Sequence, residues 1–82
     1  MDNLYEKGRE DGFEAFSEVR LTPMELNVRG NEYVRGYIDG LCEMYMNRSE
    51  LEAIIELNEL AEHYSGVPRA LPVIQLHLDS LS

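Results

Sequence analysis

Positive charge is what this chain has least of. Seven Lys and Arg stand against 16 Asp and Glu, a formal net charge of −9 over 82 residues. Direct binding to DNA or RNA relies on Lys and Arg that displace counterions, so none is expected. An anionic membrane surface is disfavoured on the same ground. Cysteine is nearly absent too. Cys42 is the single one, so no intrachain disulfide can form and a reducing, cytoplasmic setting is expected. Its place beside Leu41 suits a small buried apolar group rather than a nucleophile. No apolar run has the length of a membrane span, and no basic-then-apolar leader opens the chain. Catalytic signatures are also missing. Ser17, Ser49, Ser65, Ser80 and Ser82 lie in no nucleophile motif. His63 and His77 are 14 residues apart with no further Cys or His to complete a metal set. A G-x3-G inside a helix is not a phosphate-binding loop. No catalytic residue, metal or cofactor is expected, and the chain does not read as an enzyme.

What the chain does have is a repeat. Asn3-Leu4-Tyr5-Glu6-Lys7-Gly8-Arg9-Glu10-Asp11-Gly12-Phe13 returns as Asn31-Glu32-Tyr33-Val34-Arg35-Gly36-Tyr37-Ile38-Asp39-Gly40-Leu41, offset by 28 residues. The shared pattern is N-x-Y-x2-G-x2-D-G-[FL]. Gly in a helix costs about 1 kcal/mol against Ala, so paired Gly in two helical segments need an offsetting gain. Gly8 with Gly12, and Gly36 with Gly40, are each spaced i,i+4 and share one helix face. Faces without side chains let backbones approach closely, as in membrane helices with small-x3-small stripes. The two copies are expected to pack Gly face to Gly face as a helical hairpin, with Tyr5 and Tyr33 flanking the crossing.

The length suits one domain over 1–82: a repeated core at 1–47, then an acidic helix and a C-terminal amphipathic segment at 48–82. The fold class is all-α, with helices near 2–18, 23–28, 32–47, 50–64 and 72–80. Asp2 or Asn3 caps the first, whose apolar face runs through Leu4, Phe13, Ala15, Phe16 and Val19. Thr22-Pro23-Met24-Glu25 is a capping box with Pro at the first helical position. Asn31 is placed as the cap of the central helix. Ser49 to Glu52 reads as a second capping box. Gly66 is placed as the left-handed stop before Pro68. The tail from 67 fits a helix through Leu71, Ile74, Leu78 and Leu81, or a strand through Ile74, Leu76 and Leu78. A lone strand has no partner, which favours helix.

Charge is most one-sided in the fourth helix, where no base occurs between Arg48 and Arg69. Glu52, Glu56, Glu59 and Glu62 follow at three- and four-residue steps, about 5–6 Å apart at Cβ. That is near the spacing of phosphates along a nucleic-acid strand. Such a row serves either as a solvated face of good helix formers or as a negative stripe imitating DNA or RNA toward a basic partner. Tyr45 and Tyr64 are candidate anchors, since Tyr joins apolar area to a polar tip.

The spacing Pro23-x9-Tyr33-x2-Gly36-Tyr37, preceded by Tyr5-x2-Gly8-x3-Gly12, resembles the ribosome modulation factor family over residues 3–45. That family pairs an aromatic-x2-Gly helix with an aromatic-x2-Gly-aromatic helix through a proline-containing turn. Here the turn is longer, Tyr33 and Tyr37 stand at its Trp positions, and the charge is acidic where the family is basic. The resemblance implies a helical hairpin and a ribosome-associated translation regulator. In style the chain is also similar to accessory and anti-defence proteins of phages and mobile elements, anti-CRISPR proteins among them. The leading expectation is an inhibitor or regulator that occupies a basic, nucleic-acid-binding surface of a host protein. Homodimerisation, as a self-assembling module, is the structural alternative.

Overall fold

A computed structural model describes residues 3–81, so the Asp2 cap lies outside the described residues. The protein is an all-α bundle: α1 (Leu4–Ser17), α2 (Pro23–Asn27), α3 (Asn31–Met46), α4 (Glu50–His63) and α5 (Leu71–Leu81). The central α3 packs against α1, α4 and α5, and α4 and α5 also pack on each other. One buried cluster joins Ala15, Leu26, six core side chains of α3 from Val34 to Tyr45, Leu57 and Leu60 of α4, and Ile74 of α5.

Helix starts follow local chemistry. The Asn3 side chain accepts the Glu6 N–H at 3.2 Å. Thr22 and Glu25 exchange side-chain and backbone bonds at 3.1 Å, with Pro23 at the start of α2. Ser49 accepts the Glu52 N–H at 3.3 Å; no bond returns from the Glu52 carboxylate, so α4 has a simple cap and not the expected box. Asn31 is not a cap. Gly30 occupies that position, and Asn31 is the first helical residue. Its Oδ1 instead accepts from Arg69 at 2.7 Å, while the other Arg69 nitrogen donates to the Asn27 carbonyl at 2.7 Å. Gly66 is not left-handed, because no described residue has a positive φ. The chain leaves α4 through successive turn bonds, Val67 N–H to Tyr64 and Ala70 N–H to Val67, both 2.9 Å.

The tail resolves as helix for a packing reason. A strand would place Ile74, Leu76 and Leu78 on one face. Ile74 is buried, Leu78 and Leu81 pack on the core, and Leu76 is exposed, which is a helical pattern. Leu4 and Val19 are exposed, contrary to the expected apolar face of α1. The buried positions of α1 are Gly8, Gly12 and Ala15.

The Gly faces of α1 and α3 meet within one chain. A Cβ built on Gly8 would lie 2.3 Å from the Tyr33 carbonyl oxygen, and one on Gly36 would lie 2.0 Å from that of Tyr5. The corresponding distances are 2.4 Å from Gly12 to Tyr37 and 2.5 Å from Gly40 to Arg9. At each position the hydrogen that replaces the side chain points at a facing carbonyl, the arrangement of a Cα–H···O contact. These contacts also correct the expected hairpin. Gly8 faces Tyr33 and Tyr37, whereas Gly12, further along, faces Tyr37 and Leu41. The helices therefore run parallel. Residues 18–30, including α2, carry the chain back along the full length of α1, about 21 Å at 1.5 Å per residue.

The repeat explains the symmetry of this pair. Tyr5 of the first copy donates to Asp39 of the second at 2.5 Å, and Tyr33 of the second donates to Asp11 of the first. Gly8 against Tyr33 and Gly36 against Tyr5 are the same contact with the copies exchanged. The pair thus has an approximate internal two-fold relation. Three elements of N-x-Y-x2-G-x2-D-G have a role across the pair, Gly for approach, Tyr as donor and Asp as acceptor, while the Asn of each copy is used elsewhere.

Candidate functional site

The surface of α4 combines exposed carboxylates with exposed apolar groups. Glu52, Glu59 and Glu62 are exposed, while Glu56 is half-buried at the edge facing α3. There it stands near Tyr45, whose phenol is raised above its ordinary value chiefly by burial, opposed by Arg20 and reinforced by Glu56. The four acids therefore do not form one equal stripe. The outermost row of α4 is Leu51, Ile55, Asn58 and Glu62, at four-, three- and four-residue steps, and Glu52 and Glu59 flank it. Leu51 is 69% exposed and Ile55 50%, so both expose much of their apolar surface.

Leu51 and Ile55 are not among the candidate residues drawn from the sequence. The signal was available. The buried set Ala53, Leu57, Leu60 and Tyr64 follows a single helical row, and Leu51 and Ile55 fall outside it. Tyr45 and Tyr64 move the other way, from candidate surface anchors to core. Tyr64 is fully buried, and its hydroxyl donates to the Leu21 carbonyl at 2.8 Å. The Leu21 N–H donates to the Tyr37 hydroxyl, also at 2.8 Å. The two phenols thus hold both polar groups of one linker residue, which occupies them inside the fold. Tyr45 meets Phe16 edge-on, with ring centroids 5.0 Å apart.

Carboxylates elsewhere are engaged in holding the fold. Asp11 pairs with Lys7 at 3.2 Å, Asp39 with His77 at 2.9 Å, and Glu43 takes both terminal nitrogens of Arg9. Among the described residues, none of Glu52, Glu56, Glu59 and Glu62 has an ion-pair partner. Arg69, the next base along the chain, is turned away toward Asn27 and Asn31. Direct ion pairs therefore neutralise none of these four glutamates among the described residues. Beside this face, Ile55, Asn58, Glu59, Ala61, Glu62 and Ser65 of α4 and its exit form an open groove with Leu71 of α5.

Cys42 and His77 sit elsewhere. Cys42 is buried, and burial pushes its thiol up to about 12, with Asp39 and Glu43 adding to the effect. A shift from the ordinary 9.0 to about 12 leaves about a thousandfold fewer thiolates at neutral pH. Native protein is therefore expected to resist a thiol-modifying reagent that labels the unfolded chain readily. Comparable native and denatured labelling rates would rule out this placement. His63 stacks edge-on against Tyr64 in the last turn of α4. His77 joins α5 to α3 through Asp39 and also contacts the Met46 sulfur at 3.3 Å.

Fold and surface together define a small all-α protein with a two-fold-like parallel helix pair and an acidic, partly apolar helix whose glutamates make no ion pair among the described residues. Among the described residues, no helix is long and apolar enough to cross a membrane. No protein-family model, curated protein or solved structure matches the chain.

Proposed function

We propose that this protein is an interaction module that docks through α4 on a basic surface of another protein, of the kind that binds nucleic acid, and blocks it. The supporting observation is the face where exposed Leu51 and Ile55 lie among Glu52, Glu59 and Glu62, none of which has an ion-pair partner among the described residues. A solvated helix face needs no exposed Leu and Ile. Apolar groups ringed by charge match the anatomy of a protein interface, an apolar centre with a polar rim. The carboxylates steer a basic partner, and the apolar pair supplies area to bury.

The test is capture from a host lysate at low and high salt, followed by charge reversal. Binding is expected to weaken steeply with salt, because the screening length falls from about 10 Å at 0.1 M to about 3 Å at 1 M. Changing Glu52, Glu56, Glu59 and Glu62 to Lys is expected to abolish capture while helical circular dichroism is retained. Capture that survives the reversal excludes α4 as the binding face. Ribosomal proteins recovered in stoichiometric amounts would favour the ribosome-associated alternative.

A further inference from the structure

We propose that the groove between α4 and the start of α5 is the seat for a basic amphipathic helix of the partner, an inference that rests on reading α4 as the binding face. Ile55, Ala61 and Leu71 provide its apolar lining, and Glu59 and Glu62 stand at its margin. The outer row from Leu51 to Glu62 extends about 17 Å at 1.5 Å per residue, which accommodates about three turns of a second helix. Helix-in-groove recognition uses an apolar face read at i, i+3, i+4 and i+7, and the exposed Ile55 and Leu51 continue the groove's apolar surface in that direction.

Charge selects the occupant. Between Arg48 and the end of the chain the one Lys or Arg is Arg69, and its guanidinium is held by Asn27 and Asn31. His77 is turned to Asp39 on α3. Among the described residues, neither Glu59 nor Glu62 has an ion-pair partner on either wall of the groove. A second copy of this chain would bring its own net charge of −9 against the same face, and like charges brought together oppose association. A nucleic-acid strand would be repelled in the same way. A helix with Lys or Arg beside an aliphatic stripe satisfies both features of the groove.

The experiment is an NMR titration of the full chain with two synthetic peptides of identical Leu and Lys composition. One peptide has an amphipathic helical pattern, and the other is scrambled to have no apolar face. The expected result is saturable shifts centred on Ile55, Asn58, Glu59, Ala61, Glu62, Ser65 and Leu71. The scrambled peptide is expected to bind at least about tenfold more weakly, the effect of losing one buried aliphatic contact. Ile55→Ser is expected to weaken the amphipathic peptide to a similar degree and leave distant resonances in place. Equal binding of both peptides across α4 overturns the groove proposal while the acidic docking face stands. Salt-insensitive binding that survives Glu59→Gln and Glu62→Gln overturns the basic partner and the reading beneath it. Concentration-dependent shifts of these resonances without peptide overturn the proposal in favour of a second copy.

Discussion

Gly36→Ala is expected to lower the stability of the fold by about 3 kcal/mol, the upper end of what overpacking costs. The added methyl would lie 2.0 Å from the Tyr5 carbonyl oxygen and 3.1 Å from the Arg9 nitrogen, both backbone atoms. No rotamer change can relieve such a contact. α1 and α3 must move apart, which lengthens the Tyr5–Asp39 and Tyr33–Asp11 bonds together. The gain in helix propensity from Gly to Ala, about 1 kcal/mol, works in the other direction and does not offset the loss. Gly66→Ala is the control. Nothing lies within 4 Å of a Cβ there and its φ is not positive, so the change is expected to stabilise by about 0.5 kcal/mol through the unfolded chain. Urea unfolding of the two variants measures the contrast. A Gly36→Ala protein as stable as the parent would mean the helices do not cross where described.

Alkaline pH is expected to unfold the protein cooperatively. All five tyrosines have their phenols raised above the ordinary value of 10.0, Tyr5 mainly by its bond to Asp39 and the others mainly by burial. Cys42 is raised to about 12 from 9.0. In each case the fold retains a proton that the unfolded chain releases earlier. Above the unfolded values the unfolded state binds fewer protons, so stability falls with rising pH. Below those values both states are protonated and the contribution is fully present. Helicity is therefore expected to hold up to about pH 9 and to collapse between about 9 and 12. Phenolate absorbance should appear at the same midpoint as the helix loss. Five phenols titrating independently near their ordinary value, with helicity retained, would contradict the burial described for them.

The helices and the close glycine contact were legible in the sequence because both are local or steric. Thr22-Pro23-Met24-Glu25 specifies its own helix start through bonds between near neighbours. Gly8, Gly12, Gly36 and Gly40 announce a close approach wherever their faces meet. Direction was not legible, since i,i+4 glycines look the same to an antiparallel and to a parallel partner. The pairing of Gly8 with Tyr33 and of Gly12 with Tyr37 sets the sense. Asn31 misled for a related reason. An Asn at the start of a periodic segment suits a cap, but Arg69, distant in sequence, claims its side chain. The acidic character of α4 could be read from residue types alone. Which of its residues face water could not, because that depends on how α3 and α5 sit against it. Tyr64 was read as an anchor although its hydroxyl is held by the linker residue Leu21.

The reciprocal contacts between α1 and α3 follow the arithmetic of an isologous dimer, in which residue i meets j and j meets i. Here both halves of that dimer lie on one polypeptide. Joining them through residues 18–30 turns a second-order association into a first-order one, with an effective local concentration in about the millimolar range for a short tether. The pairing therefore does not weaken on dilution, as it would for two separate chains. It also leaves no copy of the self-complementary face unoccupied, so each glycine surface finds its complement within one chain.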